Sequence, residues 1–142
     1  MTSPSDGYAA ASALTELIRD YDTSWSSLDL GALGDLWVRA DPAPIYVGDE
    51  YAAPLIGVDD LERHWARVAA RLSSATVSST LHEFDVVDAT VVRAIVLSRW
   101  RLTGIEGDAI RTGASWVTWL LVWRGERLRI FHQMESQVHL AE

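Results

Sequence analysis

The chain has 142 residues, 49% of them hydrophobic, and 20 acidic against 12 basic side chains give a net charge of −8. That suits one domain with one core and argues against a nucleic-acid-binding surface, which needs a basic face. Cysteine is absent and all 12 basic residues are Arg, so disulfide, thiolate and Schiff-base lysine chemistry are excluded; no apolar run approaches the roughly 18 residues of a membrane span.

Residues 1–8 are small and polar, without the basic start and apolar stretch of a signal peptide, and read as a frayed leader of a cytoplasmic protein. Residues 9–28 predict an amphipathic helix, because Ala10, Leu14, Leu17, Tyr21, Trp25 and Leu28 recur at spacings of three and four. A second helix is expected over 30–38, with Leu33, Leu36 and Trp37 on its apolar side. Asp41-Pro42-Ala43-Pro44 ends it, since each Pro removes a backbone donor and restricts the residue before it. Ile45, Tyr46 and Val47 form a short strand that opens into Gly48-Asp49-Glu50.

The strongest helix signal runs through Val58, Leu61, Trp65, Val68 and Leu72. Asp59 and Glu62 have capping-box spacing at its start, and Arg63, Arg67 and Arg71 lie on the solvent side. Residues 73–76 read as its exit. The period then becomes that of strands: 76–87, then 90–103, then a turn at 104–108. A closing hairpin follows, with strands 115–123 and 127–136 around Arg124-Gly125-Glu126. Both faces of 115–123 are apolar, Trp116, Leu120 and Val122 on one and Val117, Trp119, Leu121 and Trp123 on the other. A strand with one wet face should alternate, so both sides of this sheet are expected to be covered. The order predicts an α+β domain over 9–138, helices packed on one face of a bent sheet, with 139–142 as a tail.

This order carries several landmarks: Tyr21, Trp25, Asp29, Leu33 and Trp37; the run Tyr46-Val47-Gly48-Asp49-Glu50; Gly57, Leu61 and His64-Trp65; and Leu128-Arg129-Ile130, His132 and Ser136. Together they resemble the nuclear transport factor 2-like superfamily, in its SnoaL-like and ketosteroid isomerase-like branch. Leu128 stands where the family's last strand often has Trp, and Met134 where it often has a second His. The resemblance implies a cone-shaped, curved mixed β-sheet wrapped around the N-terminal helices, enclosing a pocket. It also implies a homodimer through the outer sheet face, which would explain the two apolar faces of 115–123.

The same resemblance supplies candidate site residues. Tyr21 has the spacing to Asp29 of the family's oxyanion-hole tyrosine, a phenol that donates to developing negative charge; the alternative is a core tyrosine. The family's general-base carboxylate falls near Gly48, with Asp49 one position on, so a one-residue shift would turn Asp49 to the other face. The family's second oxyanion donor falls at Thr118. Glu135 occupies a pocket-facing position of the last strand, where burial in an apolar cone would raise its pKa. The pattern of Leu128, Ile130 and Met134 argues instead for Glu135 in solvent. His82 falls where relatives carry a strand histidine, while His64, His132 and His139 read as packed, interfacial and tail residues.

Trp25, Tyr46, Trp65, Trp116, Thr118, Phe131 and Gln133 are the expected ligand-binding lining, suited to a small apolar or polycyclic molecule. No paired metal-ligand motif or phosphate loop is present, so neither a metal nor a cofactor is expected. Two readings stand: a cofactor-free isomerase, cyclase or dehydratase using acid/base chemistry, and a non-catalytic ligand-binding or association module.

Overall fold

The computed structural model describes residues 7–105 and 110–138. The leader's first six positions, most of the turn at 104–108, and the tail with His139 lie outside the described residues. Three helices precede most of the sheet: α1 (Gly7–Ser26), α2 (Leu30–Gly34) and α3 (Val58–Ala70). Six strands follow or interleave: β1 (Ile45–Val47), β2 (Leu55–Ile56), β3 (Leu72–Val86), β4 (Val91–Gly104), β5 (Ile110–Arg124) and β6 (Arg127–Gln137). They form one sheet in the order β2-β1-β6-β5-β4-β3. Every pairing is antiparallel except β1 with β6, which is parallel, with Tyr46 opposite Gln133. The molecule is the expected α+β cone, a curved, unclosed mixed sheet with its concave face under the helices.

The helices bury the stripe their periodicity defines. Ala10, Leu14, Leu17 and Tyr21 of α1 are buried, and so are Leu61 and Trp65 of α3. They meet Val92, Ala94 and Val96 of β4 and Val117, Trp119 and Leu121 of β5 in one core. Burial of this apolar area is the main stabilising term. A polar staple adds register: the Asp22 carboxylate of α1 accepts from Ser79 N at 2.7 Å and from Ser79 Oγ at 2.6 Å on β3. Among the described residues no helix is long and apolar enough to cross a membrane.

Several element boundaries differ from expectation. The second helix stops at Gly34 rather than continuing to Val38, because the chain there turns to bond with β6: Val38 N donates to Ile130 O at 2.9 Å and Ile130 N to Leu36 O at 2.8 Å. α3 has Gly57 as N-cap at φ 91° with no side-chain cap bond, so Asp59 does not cap it. Residues 73–76 are strand rather than helix exit, since Ser74 and Thr76 pair with Thr103 and Arg101 of β4. The closing hairpin turns through Gly125 at φ 63°, the positive φ that two-residue hairpin loops need at their first central position.

The facing of the last strand is decided by a β-bulge. Leu121 of β5 pairs with Ile130 while Leu120 pairs with His132, so Phe131 is an extra residue on β6. Such an insertion reverses the inside–outside alternation beyond it. Leu128 and Ile130 therefore face the core before the bulge, and Gln133 and Glu135 face inward after it. Met134, which the simple alternation placed inside, is 47% exposed.

Candidate active site

The cone encloses a cavity of about 490 Å³. Tyr21 and Trp25 of α1 form one wall, with His64 and Val68 of α3 above it. Tyr46 of β1 and the following Asp49 and Glu50 form a second wall. The sheet contributes Val77, Ser98, Trp100, Leu102, Ser115 and Val117, and Glu135 and Gln137 close the β6 side. Arg111 supplies a basic group near the start of β5.

Glu135 is the focus of the polar contacts. Gln133 Nε2 donates to its Oε1 at 2.6 Å, and Tyr46 Oη lies 3.0 Å from its Oε2. The Gln133 amide is oriented by the core, since Trp119 Nε1 donates to its Oε1 at 2.9 Å and leaves only the amide nitrogen for the carboxylate. Burial raises the Glu135 pKa to about 7, the hydrogen bonds from Tyr46 and Gln133 oppose the rise, and the negative charges of Glu50 and Asp49 add to it. A group with a pKa near neutrality is matched to proton transfer in either direction.

Tyr21 is buried, packed edge-on against Trp119 at 5.2 Å. Burial, then the charge on Glu135, push its phenol pKa above the ordinary value, while the Gln133 and Trp25 side chains act against that. Its hydroxyl therefore stays protonated and can donate. Tyr46 is likewise held neutral by burial and the adjoining carboxylates. Its hydroxyl is also 2.6 Å from Glu50 Oε1, and its ring stacks on His64 at 4.7 Å. Asp49 sits at the exposed edge, accepting from Gln137 N at 2.8 Å. Gly48 lets the Tyr46–Glu50 contact form without crowding, since a Cβ would lie 2.5 Å from Tyr46 Oη and 2.7 Å from Glu50 Oε1.

His64 is held at both ring nitrogens. Its Nδ1 is 2.7 Å from Tyr51 Oη, which also accepts from Arg67 Nη2 at 2.8 Å. Its Nε2 lies 4.0 Å from Glu50 Oε1. Burial, more than the neighbouring charges, lowers the His64 pKa and keeps the imidazole neutral.

The structure thus gathers Tyr21, Trp25, Tyr46, Asp49 and Glu135 on the cavity wall, and it places other candidates elsewhere. His82 is on the outer face, in an edge-to-face pair with Trp116 at 5.0 Å. It is the unpaired residue of the bulge between Leu81 and Glu83. Trp116 and Thr118 have the outward parity of β5, because Val117 and Trp119 take the inside. Trp65 is consumed by the core, tilted against Trp37 at 5.9 Å. Phe131 is the bulge residue and is not part of the lining, and Gln133 supports Glu135 from beneath instead of meeting the cavity.

Residues not expected in the site are Glu50, His64, Ser98, Trp100 and Arg111. Parity could have found two of them: Val92, Ala94 and Val96 are inward, so Ser98 and Trp100 follow on the same face. The Trp100 ring lies across Gly113, where a Cβ would meet it at 2.5 Å. Ser98 has a set polarity too. Ser79 gives its proton to Asp22, so Ser98 donates to Ser79 across 2.7 Å and turns its lone pairs to the cavity. Among the described residues no group of three His, Cys, Asp or Glu side chains is arranged to hold a metal ion.

Helices closing the concave face of a six-stranded mixed sheet, over a cavity holding a half-buried carboxyl and two phenols, define a small α+β cone protein. The chain has the nuclear transport factor 2-like fold. It is similar to a ketosteroid isomerase-like protein from Erwinia carotovora atroseptica, with a TM-score of 0.77 over 91% of this chain and 96% of that one at 12% identity. It is similar to the hexachlorocyclohexane dehydrochlorinase LinA-type3 from Novosphingobium barchaimii, with a TM-score of 0.77 over 93% and 88% at 16% identity. A candidate scytalone dehydratase from Novosphingobium aromaticivorans gives a TM-score of 0.84 over 98% and 89% at 10% identity. No family model matches the sequence, and no curated protein matches it. At these identities the likeness is one of fold.

Proposed function

We propose that this protein is a cofactor-free acid/base catalyst acting on a small, mainly apolar, oxygen-bearing molecule held in the cone. The reaction class is isomerisation, cyclisation or elimination. Glu135 moves the proton, and Tyr21 donates to the oxygen on which negative charge develops. The observation that carries this reading is the Glu135 carboxyl, inside the cavity, with its pKa raised to about 7 chiefly by burial. The fold neighbours include proteins named for isomerase-like and dehydrochlorinase activities, and both chemistries begin with proton removal.

A binding role without turnover is the second reading. It is favoured by Gly48, where the family resemblance leads one to look for the general base and where a Cβ would crowd Tyr46 and Glu50. The two readings part on whether Glu135 acts on a bound molecule. A suitable probe is 5-nitrobenzisoxazole. A carboxylate takes its ring C–H proton, the C–H electrons form the nitrile, and the N–O bond breaks to release a coloured phenolate. The wild-type rate is expected to rise with pH to a plateau above about 7, and Glu135→Gln to lose at least about tenfold. Equal rates in the two proteins would leave the binding role.

The outer face of β4, β5 and β6 is proposed as a homodimer surface. Leu97 lies opposite Trp116, and Thr118 opposite Met134. Trp116 is 38% exposed, and Ile95 and Leu120 on the same face are half-buried.

A further inference from the structure

We infer that Tyr46 joins Glu135 and Glu50 into one proton-sharing unit, in which Glu50 is the positioning residue that governs the charge on Glu135 and exchanges its proton with water. The inference rests on the reading of Glu135 as the acid/base group and adds how that group is reset.

The Tyr46 hydroxyl lies between two carboxyl groups, 2.6 Å from Glu50 Oε1 and 3.0 Å from Glu135 Oε2. A phenol has one proton and can donate to only one of them at a time. With both carboxylates ionised, one would face the phenol lone pairs with nothing between. A single additional proton removes the conflict. Glu135 then donates its O–H to Tyr46 Oη, and Tyr46 donates its own O–H to Glu50. The mirror arrangement has Glu50 as the acid and Tyr46 donating to Glu135. To pass between them, the Glu135 O–H bond breaks as a new O–H forms on Tyr46, and the old Tyr46 O–H breaks as one forms on Glu50. The phenol stays neutral before and after, and the net change is one proton moved from Glu135 to Glu50. The shorter contact is the one to Glu50, which fits the charge resting there and the proton on Glu135.

The two ends differ in access. Glu135 is half-buried inside the cone, whereas the Glu50 side chain is 48% exposed and can trade its proton with solvent. The surroundings hold Glu50 in reach. Gly48 leaves the space that the Tyr46–Glu50 contact occupies. His64 packs on the Tyr46 ring and places its Nε2 4.0 Å from Glu50 Oε1. The other titratable or charged groups lining the cavity with Glu135 are Asp49 beyond β1, Tyr21 of α1, His64 of α3 and Arg111 of β5. None of these lies between the two carboxyl groups as Tyr46 does.

The test is a ¹³C NMR titration of the side-chain carboxyl carbons in the full-length chain. The proteins compared are wild type, Tyr46→Phe, Glu50→Gln and the double variant. Glu50→Gln frees the Tyr46 proton for Glu135 and is expected to lower the Glu135 midpoint by about one pH unit. Tyr46→Phe removes a donor from Glu135 and is expected to raise it. In the Tyr46→Phe background the effect of Glu50→Gln should fall to half or less, because the coupling runs through the phenol. An undiminished effect in that background would mean simple repulsion through space and would overturn the inference. A near-neutral Glu135 indifferent to both substitutions would overturn it as well, while leaving the acid/base reading intact. An ordinary carboxylate midpoint in the wild type would defeat both.

Discussion

Glu135 makes the folded chain sensitive to pH in a direction that can be worked out. Its pKa is about 7 in the folded state, against an ordinary value of 4.5. Between those values the folded chain holds a proton that the unfolded chain has released. Stability from this group is therefore complete below the lower value and falls as pH rises through the higher one. The fall amounts to roughly 3 kcal/mol at most. Glu135→Gln has no proton to lose, so its denaturant-unfolding stability is expected to decline less than the wild type's, by up to that amount, between about pH 5 and about pH 8. Parallel pH profiles for the two proteins would show that Glu135 ionises freely. The sequence alone could bring Glu135 into consideration only through resemblance, because plain alternation from Leu128 and Ile130 points it outward. Phe131 is why the alternation misleads: an inserted residue leaves no mark in a run of Ile, Phe, His and Gln, yet it reverses every facing beyond it. The bulge at His82 likewise switches the inward set of β3 from Val77, Ser79 and Leu81 to Phe84 and Val86.

Among the elements, α1 and β3 show how a polar contact holds the cone in shape. Asp22 lies one residue from Tyr21, and its carboxylate takes both the backbone and the side-chain proton of Ser79. Burial raises its pKa even against those bonds, so the contact orients the helix at some electrostatic cost. Asp22→Ala leaves Ser79 N without that acceptor and is expected to lower stability by about 1–3 kcal/mol, measured by thermal or chemical unfolding. A change within about 0.5 kcal/mol would show that packing alone fixes the helix. The long helices and strands were legible because their periods extend over many residues. The short pieces were not. β2 has two residues, too few to show a period. Residues 36–38 look helical by pattern, but their backbone groups are taken by β6, a tertiary partner that local sequence does not reveal.

For the whole molecule, the apolar even face of β5 is turned away from the helices. Trp116 and Met134 stand exposed on it beside Leu97 and Leu120. Water contact there is unfavourable at roughly 25 cal/mol per Å² of apolar area, so a second copy covering it would be stabilising. Wild-type protein is expected to sediment as a dimer at micromolar concentration, and Trp116→Arg as a monomer with unchanged circular dichroism. A monomeric wild type would remove the interface. The odd face carries Val117, Trp119 and Leu121, which the core accounts for. The helices cover that face, whereas the even face keeps Trp116 and Met134 exposed in the single chain.

β1 has one neighbour besides the two-residue β2, and that neighbour is β6. Tyr46 and Glu135 are 89 positions apart in sequence. During synthesis on a ribosome, β1 through β5 emerge while both flanks of the gap still lack their partner. Until β6 pairs, Tyr46 and Glu135 cannot meet. Its pairing fills the gap between β1 and β5 and brings the two side chains together. Chemistry of the kind proposed would therefore switch on only after that strand has docked, giving the cell no half-made version with the same activity.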